Sequence, residues 1–365
     1  MSVNVGVSFS SLSTGRHRDG IAAYTANLAQ ALEPYVKVKP CLFSGEYLRH
    51  KQKADCYGYS FKLHVIRSQC GLDSYSECEQ AKIDIFHSTD HRIPRLTKVP
   101  SVASIFDAIP FVRPEWTRPE WRKLKNCLMR RSAEWPQRVI CASEFAAYEV
   151  EKYWRVRGSK IRIVPLAVDR GRFEISNAEV QSVREGFGLP ERYVLFVGTL
   201  QPRKNLRRLI MAHRKLPADM RYEYPLVVVG GDGWLSVKDL SFITDDQCIK
   251  RLGYVPDQKL DALYKSAQVL VIPSLHEGFG LPVLEGFAAQ IPVICSATTS
   301  LGEISQGAAI HFDPLSVDEI YEALKHVLDD EAVRVKSVSE GRKLLKQYSW
   351  DKTARETIRV YDEVL

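Results

Sequence analysis

The chain has 365 residues, 45% hydrophobic and 26% charged, with a net charge of +7. That composition excludes a disordered or fibrous chain, and the length exceeds one core, so two domains of a soluble globular protein are expected. No run of 18 apolar residues occurs and the first residues lack a basic region followed by an apolar one, so neither a membrane-spanning helix nor a signal peptide is expected. The eight cysteines show no C-x₂-C pair, which predicts reduced, mostly buried thiols, no metal site and a cytoplasmic location.

In chain order, short apolar strands alternate with helical patterns. The first series is expected at 3–9, 36–43, 61–66, 83–87, 99–105, 138–142 and 161–165, and the second at 194–198, 226–230, 249–252, 269–272, 291–295 and 308–312. Such alternation predicts two doubly wound, mostly parallel sheets. The polar segment near 170–192 is the expected join, giving domains at 1–172 and 190–346, with a helix at 347–365. The first 175 residues hold 28 Lys and Arg against 18 Asp and Glu, and the remainder 23 against 26. The excess is sharpest from Arg113 to Arg131, where Trp116, Trp121, Leu124 and Leu128 are interleaved with Arg118, Arg122 and Lys125. Two readings stand for this stretch: a helix resting on an anionic membrane surface, or one packed on its own sheet with a solvated basic back. No nucleic-acid recognition motif accompanies the charge, so no nucleic-acid partner is expected.

The most informative segment is Pro273-Ser-Leu-His-Glu-Gly-Phe-Gly-Leu-Pro-Val-Leu-Glu-Gly286. The run Val269–Ile272 reads as a buried strand, Gly278 and Gly280 as a turn, and Pro282 as the first turn of a helix. Glycines let backbone N–H groups approach a ligand, and the helix start favours an anion. Glu277 and Glu285 sit awkwardly beside an anion unless they bind hydroxyls, such as those of a sugar and a ribose. Earlier, Arg203 and Lys204 follow a strand end, where an α/β sheet presents its ligand crevice. A guanidinium beside an ammonium suits a diphosphate.

These segments resemble the retaining glycosyltransferases of family 4, with the GT-B fold, most like the bacterial polysaccharide mannosyltransferases. Gly15, Gly20-Ile-Ala-Ala-Tyr24, Ser143-Glu-Phe145, Val164–Asp169, Gly230-Gly-Asp-Gly-Trp234, Leu252-Gly-Tyr-Val-Pro256 and Thr299–Glu303 match in family order. The resemblance implies an α/β architecture of two Rossmann-like domains facing across a cleft, and a helix crossing back to the first. It implies that Glu277 contacts the donor hexose and Glu285 the ribose. The backbone at Gly278, Phe279, Gly280 and Leu281 would lie against sugar and diphosphate, with Gly20, Tyr254 and Val255 as further donor contacts. Arg203, Lys204 and Glu277 would carry the chemistry, without metal. Two departures concern the acceptor. Phe106 stands where many relatives carry a His before Asp107, and Thr89 or Asp90 stands where several carry another. His87, Asp90 and Asp107 are the acceptor-side candidates, although His87 reads more readily as a core or surface histidine.

The expected function is transfer of a hexose, mannose from GDP-mannose, to a glycan or lipid-linked oligosaccharide at the inner face of the cell membrane. The alternative donor is a UDP-sugar. A dehydrogenase would need a Gly-x-Gly-x-x-Gly turn, which Gly230–Gly233 lacks. A catalytically dead sugar-binding protein is opposed by the presence of Arg203, Lys204, Glu277 and Glu285.

Overall fold

Short strands of three to seven residues build two sheets, with apolar runs at the centre of the second and polar residues entering at its edge and in the first. The computed structural model describes residues 3–13, 20–46, 54–117, 121–233 and 246–365. Gly15, Arg118, Glu120 and Trp234 lie outside the described residues. The first sheet contains β1 (Asn4–Ser8), β2 (Lys37–Phe43), β3 (Cys56–Gly58), β4 (Ile85–Ser88), β5 (Ser101–Ser104), β6 (Arg138–Cys141) and β7 (Ile161–Ile163), in the order β3-β2-β1-β4-β5-β6-β7. The second contains β8 (Val194–Val197), β9 (Leu226–Val229), β10 (Ile249–Gly253), β11 (Val269–Ile272), β12 (Val293–Ser296) and β13 (Ile310–Phe312), in the order β10-β9-β8-β11-β12-β13. Every pairing among these strands is parallel. Strands buried on both faces read as continuous apolar runs, as Val194–Val197 and Val269–Ile272 do. In each sheet the order reverses once, between β1 and β4 and between β8 and β11, and such a reversal opens a crevice at the carboxyl ends of the strands.

One compact unit comprises Met1–Leu166 with Ser349–Leu365, and the other Ala167–Tyr348. The division falls before the expected join, because residues 167–189 belong with the second sheet. There Lys265 Nζ donates to the carbonyls of Phe173 and Ile175 at 3.0 and 3.1 Å. The core of the second unit packs Phe196, Leu209, Ile210, Val228, Ile320 and Leu324, among others. A side chain of this kind stabilises by about 1.5–3 kcal/mol when buried.

The helix Trp350–Asp362 belongs to the first unit. Ser349 caps it by accepting from the Lys352 N–H. Thr353 Oγ1 donates to the Pro165 carbonyl at 2.8 Å, Trp350 lies 6.3 Å from the Tyr24 ring, and Glu363 pairs with Arg138 and Arg162 at 2.7 and 2.6 Å. The strand expected at 61–66 is instead a helix, Phe61–Gln69. His64 and Ser68, four residues apart, face inward, while Leu63 and Ile66 are exposed. The apolar alternation there marks the outer face of a helix, and a short apolar run does not by itself separate the two states. The strand lies upstream, at Cys56–Gly58.

Candidate active site

The reversal between β8 and β11 gathers the basic pair and the first glutamate. The turn Pro202–Lys204 ends on Asn205, which has φ +57° and whose Nδ2 donates to the carbonyls of Pro273 and Pro314 at 2.9 and 2.7 Å. The Leu275 N–H donates to the Arg203 carbonyl at 2.7 Å. These bonds tie the loop after β8 to the loop after β11. Close approach is also required at Gly230, where φ is +151° and a Cβ would lie 1.9 Å from the Gly198 carbonyl oxygen.

Across this junction Lys204 Nζ lies 2.5 Å from Glu277 Oε1, and Arg203 Nη1 lies 2.9 Å from Glu277 Oε2. Ser274 Oγ donates to Oε1 at 2.7 Å, and Ser300 Oγ donates to the Glu277 carbonyl at 2.8 Å. Burial alone would raise the Glu277 carboxyl, but the Lys204 and Arg203 cations outweigh it and hold it down to about 2. Burial also pulls the Lys204 ammonium down, against Glu277. Two cations facing one carboxylate make this an ion-paired cluster with charge to spare for an incoming anion.

Gly278, Phe279 and Gly280 lead from Glu277 into the helix Leu281–Ala288. Gly280 has φ +110°, a conformation that favours glycine. Phe279 is buried with its ring 6.2 Å from that of Tyr348. Glu285 lies in this helix with both carboxylate oxygens engaged. Tyr264 donates to Oε2 at 2.7 Å, and Arg172 Nη1 reaches Oε1 at 3.3 Å. Asp261 grips Arg172 through two bonds, at 2.6 and 3.2 Å. Asp261 and Glu285 hold the guanidinium pKa above its ordinary value despite burial. Arg172, Asp261 and Tyr264 lie in no segment that the sequence singles out, while Ser274 and Ser300 lie within Pro273–Gly286 and Thr299–Glu303 without a role read for either. Tyr254 and Val255 follow β10 at the same carboxyl edge of the sheet, Tyr254 exposed and Val255 buried.

In the first unit Gly20 is exposed and begins the helix Gly20–Leu32. A cavity of about 210 Å³ is lined by Asp90, Phe106, Asp107, Arg122, Lys125 and Asn126, among others. Asp90 is held by Arg92 at 2.6 Å, and Arg92 also reaches Glu46 at 2.9 Å. Asp107 accepts from the Ile109 N–H at 3.1 Å. His87 does not reach the cavity surface. It is fully buried, with Nδ1 2.8 Å from the Tyr361 hydroxyl and Nε2 2.9 Å from Ser104 Oγ. Burial pushes its pKa down to about 3. Of the three acceptor-side candidates, His87 is therefore a core histidine. Among the described residues no cluster of three or more His, Cys, Asp or Glu is placed to hold a metal, and no helix is long and apolar enough to cross a membrane.

Two parallel sheets with a basic pair and an acidic pair at the second reversal belong to the GT-B class. Residues 18–172 match the family described as Glycosyltransferase Family 4, and residues 178–344 match Glycosyl transferases group 1. The O-antigen chain mannosyltransferase B of Escherichia coli is 31% identical over 82% of this chain and 78% of its own length. The serotype-specific mannosyltransferase WbdA of Escherichia coli is 28% identical over 62% of this chain, which spans only 29% of that longer protein. The Anabaena protein HepE, solved with UDP and glucose, superposes with a TM-score of 0.76 at 13% identity, covering 99% of this chain and all of its own. This chain belongs to the group 1 and family 4 glycosyltransferases.

Proposed function

We propose that this chain transfers mannose from GDP-mannose, with retention at the anomeric carbon, to a glycan or lipid-linked oligosaccharide in cell-surface polysaccharide synthesis. The observation that carries this is the buried cluster of Arg203, Lys204 and Glu277 at the strand reversal. The donor diphosphate takes the two cations, Glu277 accepts from hydroxyls of the hexose, and Glu285, oriented by Tyr264 and Arg172, accepts from the ribose. As the bond from the anomeric carbon to the phosphate oxygen breaks, charge builds on that oxygen, and Arg203 and Lys204 stabilise it without a metal. The acceptor hydroxyl attacks on the face the phosphate leaves, and the departing phosphate oxygen takes its proton. The names of the relatives favour mannose, and the UDP in the HepE structure favours a UDP-hexose as the second reading.

The acceptor is met by the first unit. Trp121 and Leu124, 76% and 53% exposed, stand among exposed Lys123 and Lys125 on the helix Arg122–Ser132 and at its start, which supports contact with an anionic membrane surface. The protein would then be peripheral on the cytoplasmic face. Turnover with GDP-mannose, UDP-glucose and UDP-galactose, read as free nucleoside diphosphate and as the anomeric proton of the product, tests the reading. Release with GDP-mannose and an α-linked product are expected. An inverted product, or turnover with none of the three, refutes it.

A further inference from the structure

The loop after β12 grips the Glu277 segment at three points. Ser296 Oγ donates to the Ser274 carbonyl at 2.7 Å, and Ser300 Oγ donates to the Glu277 carbonyl at 2.8 Å. Both serines are fully buried. Leu301, also fully buried, packs so close to Gly280 that a Cβ there would lie 2.8 Å from its Cδ2. Thr299 makes the turn that presents Ser300 and Leu301, and it does so in an unfavourable conformation. Its φ is +62°, in the left-handed region, where a β-branched side chain crowds its own backbone. Its hydroxyl oxygen is buried with no hydrogen-bond partner among the described residues. The helix Thr299–Ser305 does not explain the strain, since Thr298 at its start makes no side-chain capping bond. Strain of this kind persists only where the surroundings over-determine it, and it gathers at functional sites. Here the surroundings are the bonds and contacts to Ser274, Glu277 and Gly280. Gly278 tolerates either sign of φ, so the peptide after Glu277 has no local reason to keep one orientation. Ser300 fixes that orientation by holding its carbonyl. Ser274, whose own carbonyl Ser296 holds, donates to Glu277 Oε1 at 2.7 Å. The loop after β12 thus sets both the backbone and the carboxylate of Glu277.

We infer that Ser300 is a positioning residue for sugar transfer: presented by the strained turn at Thr299, it fixes the backbone of Glu277 and so aims the carboxylate at the donor hexose while Lys204 and Arg203 hold it. The inference rests on the proposed contact of Glu277 with the hexose, and adds a residue that acts only through Glu277.

The test is a double-mutant cycle of Ser300→Ala with Glu277→Gln, read as kcat and KM for GDP-mannose and, without donor, as the urea midpoint. Ser300→Ala should lower kcat about tenfold, the loss expected for one buried hydrogen bond, with KM for the donor changed less than about twofold. In the Glu277→Gln background the same substitution should change kcat by less than about twofold, because residues that act through one another do not add. The shift of the urea midpoint caused by Ser300→Ala should likewise fall to about half in that background. Equal effects in the two backgrounds, in kcat or in the midpoint, would make Ser300 an ordinary core residue and overturn the inference. Thr299→Gly should raise the midpoint, because glycine takes a positive φ at no steric cost and leaves no buried hydroxyl. A lower midpoint would show a relaxed turn and overturn the role given to Thr299. If wild type does not turn over GDP-mannose, the donor reading fails by itself, and the coupling of Ser300 to Glu277 in the urea midpoint still decides the inference.

Discussion

Replacing Glu277 by Gln keeps the shape of the cluster and removes its one negative charge. In the wild type the carboxyl is held at about 2 against an ordinary 4.5, chiefly by Lys204 and Arg203 against the opposing effect of burial. At 1.36 kcal/mol per tenfold, this corresponds to about 3 kcal/mol of stability. The folded value lies below the unfolded one, so this stability is fully present above about pH 4.5 and is lost as pH falls towards 2. The Gln variant retains hydrogen bonds from Lys204 and Ser274 and should lose about 1–3 kcal/mol at pH 7. Urea unfolding of both proteins from pH 2 to pH 7 is the assay. The difference between the two curves should be near zero at the acid end, grow up to about pH 5, and then stay flat. In the proposed donor site this carboxylate competes with the diphosphate for the two cations, so GDP should bind the variant at least as tightly as the wild type. Transfer should fall about 10–100-fold, the worth of a charged hydrogen bond to a sugar hydroxyl. Superimposable stability curves would refute the electrostatic argument, and a loss of GDP affinity matching the loss of transfer would refute the division of roles.

Arg203→Ala or Lys204→Ala should each slow transfer by about a hundredfold or more, about 3 kcal/mol of barrier, and near-normal kcat in both would remove the clamp. Glu285→Ala should weaken GDP binding in calorimetry, and Tyr264→Phe should weaken it by a smaller factor, on the order of 1 kcal/mol for one hydrogen bond; unchanged affinity in both would dissociate Glu285 from the ribose. Transfer should survive excess EDTA, and loss restored by Mn²⁺ or Mg²⁺ would contradict a metal-free leaving-group site. Trp121→Ser with Leu124→Ser should reduce flotation with anionic vesicles, and wild-type binding should weaken with salt; flotation independent of lipid charge would leave the helix Arg122–Ser132 as a solvated surface.

The parts legible in the sequence were those whose signal is local. The apolar run Val269–Ile272, the glycine turn and Pro282 lie within a dozen residues of Glu277, so strand, loop and helix start could be read together. Arg203 and Lys204 could be placed after a strand for the same reason. Their pairing with Glu277, more than 70 residues away, follows from strand order, because β8 and β11 become neighbours only where the sheet reverses. Arg172, Asp261 and Tyr264 were invisible as supports of Glu285, since two of the bonds join residues 89 and 113 apart and none of these three side chains lies in a motif. The same limit applied to Arg122 and Lys125, which looked like part of a basic surface until the fold placed Asp90 and Asp107 beside them. At 61–66 the apolar pattern itself misled, because the inward positions of that helix are His64 and Ser68.

The second unit is inserted, as a continuous stretch from Ala167 to Tyr348, between two parts of the first. Synthesis from the ribosome therefore delivers a complete second unit before the first has its last helix. Until then the ring of His87 lacks the Tyr361 hydroxyl that satisfies Nδ1, and Arg138 and Arg162 lack Glu363. The nascent first sheet should be the segment most dependent on chaperones and most open to proteolysis. Truncation just after Tyr348 should behave as a folding defect of the first unit, with Arg203, Lys204, Glu277 and Glu285 still assembled in the part that is made whole.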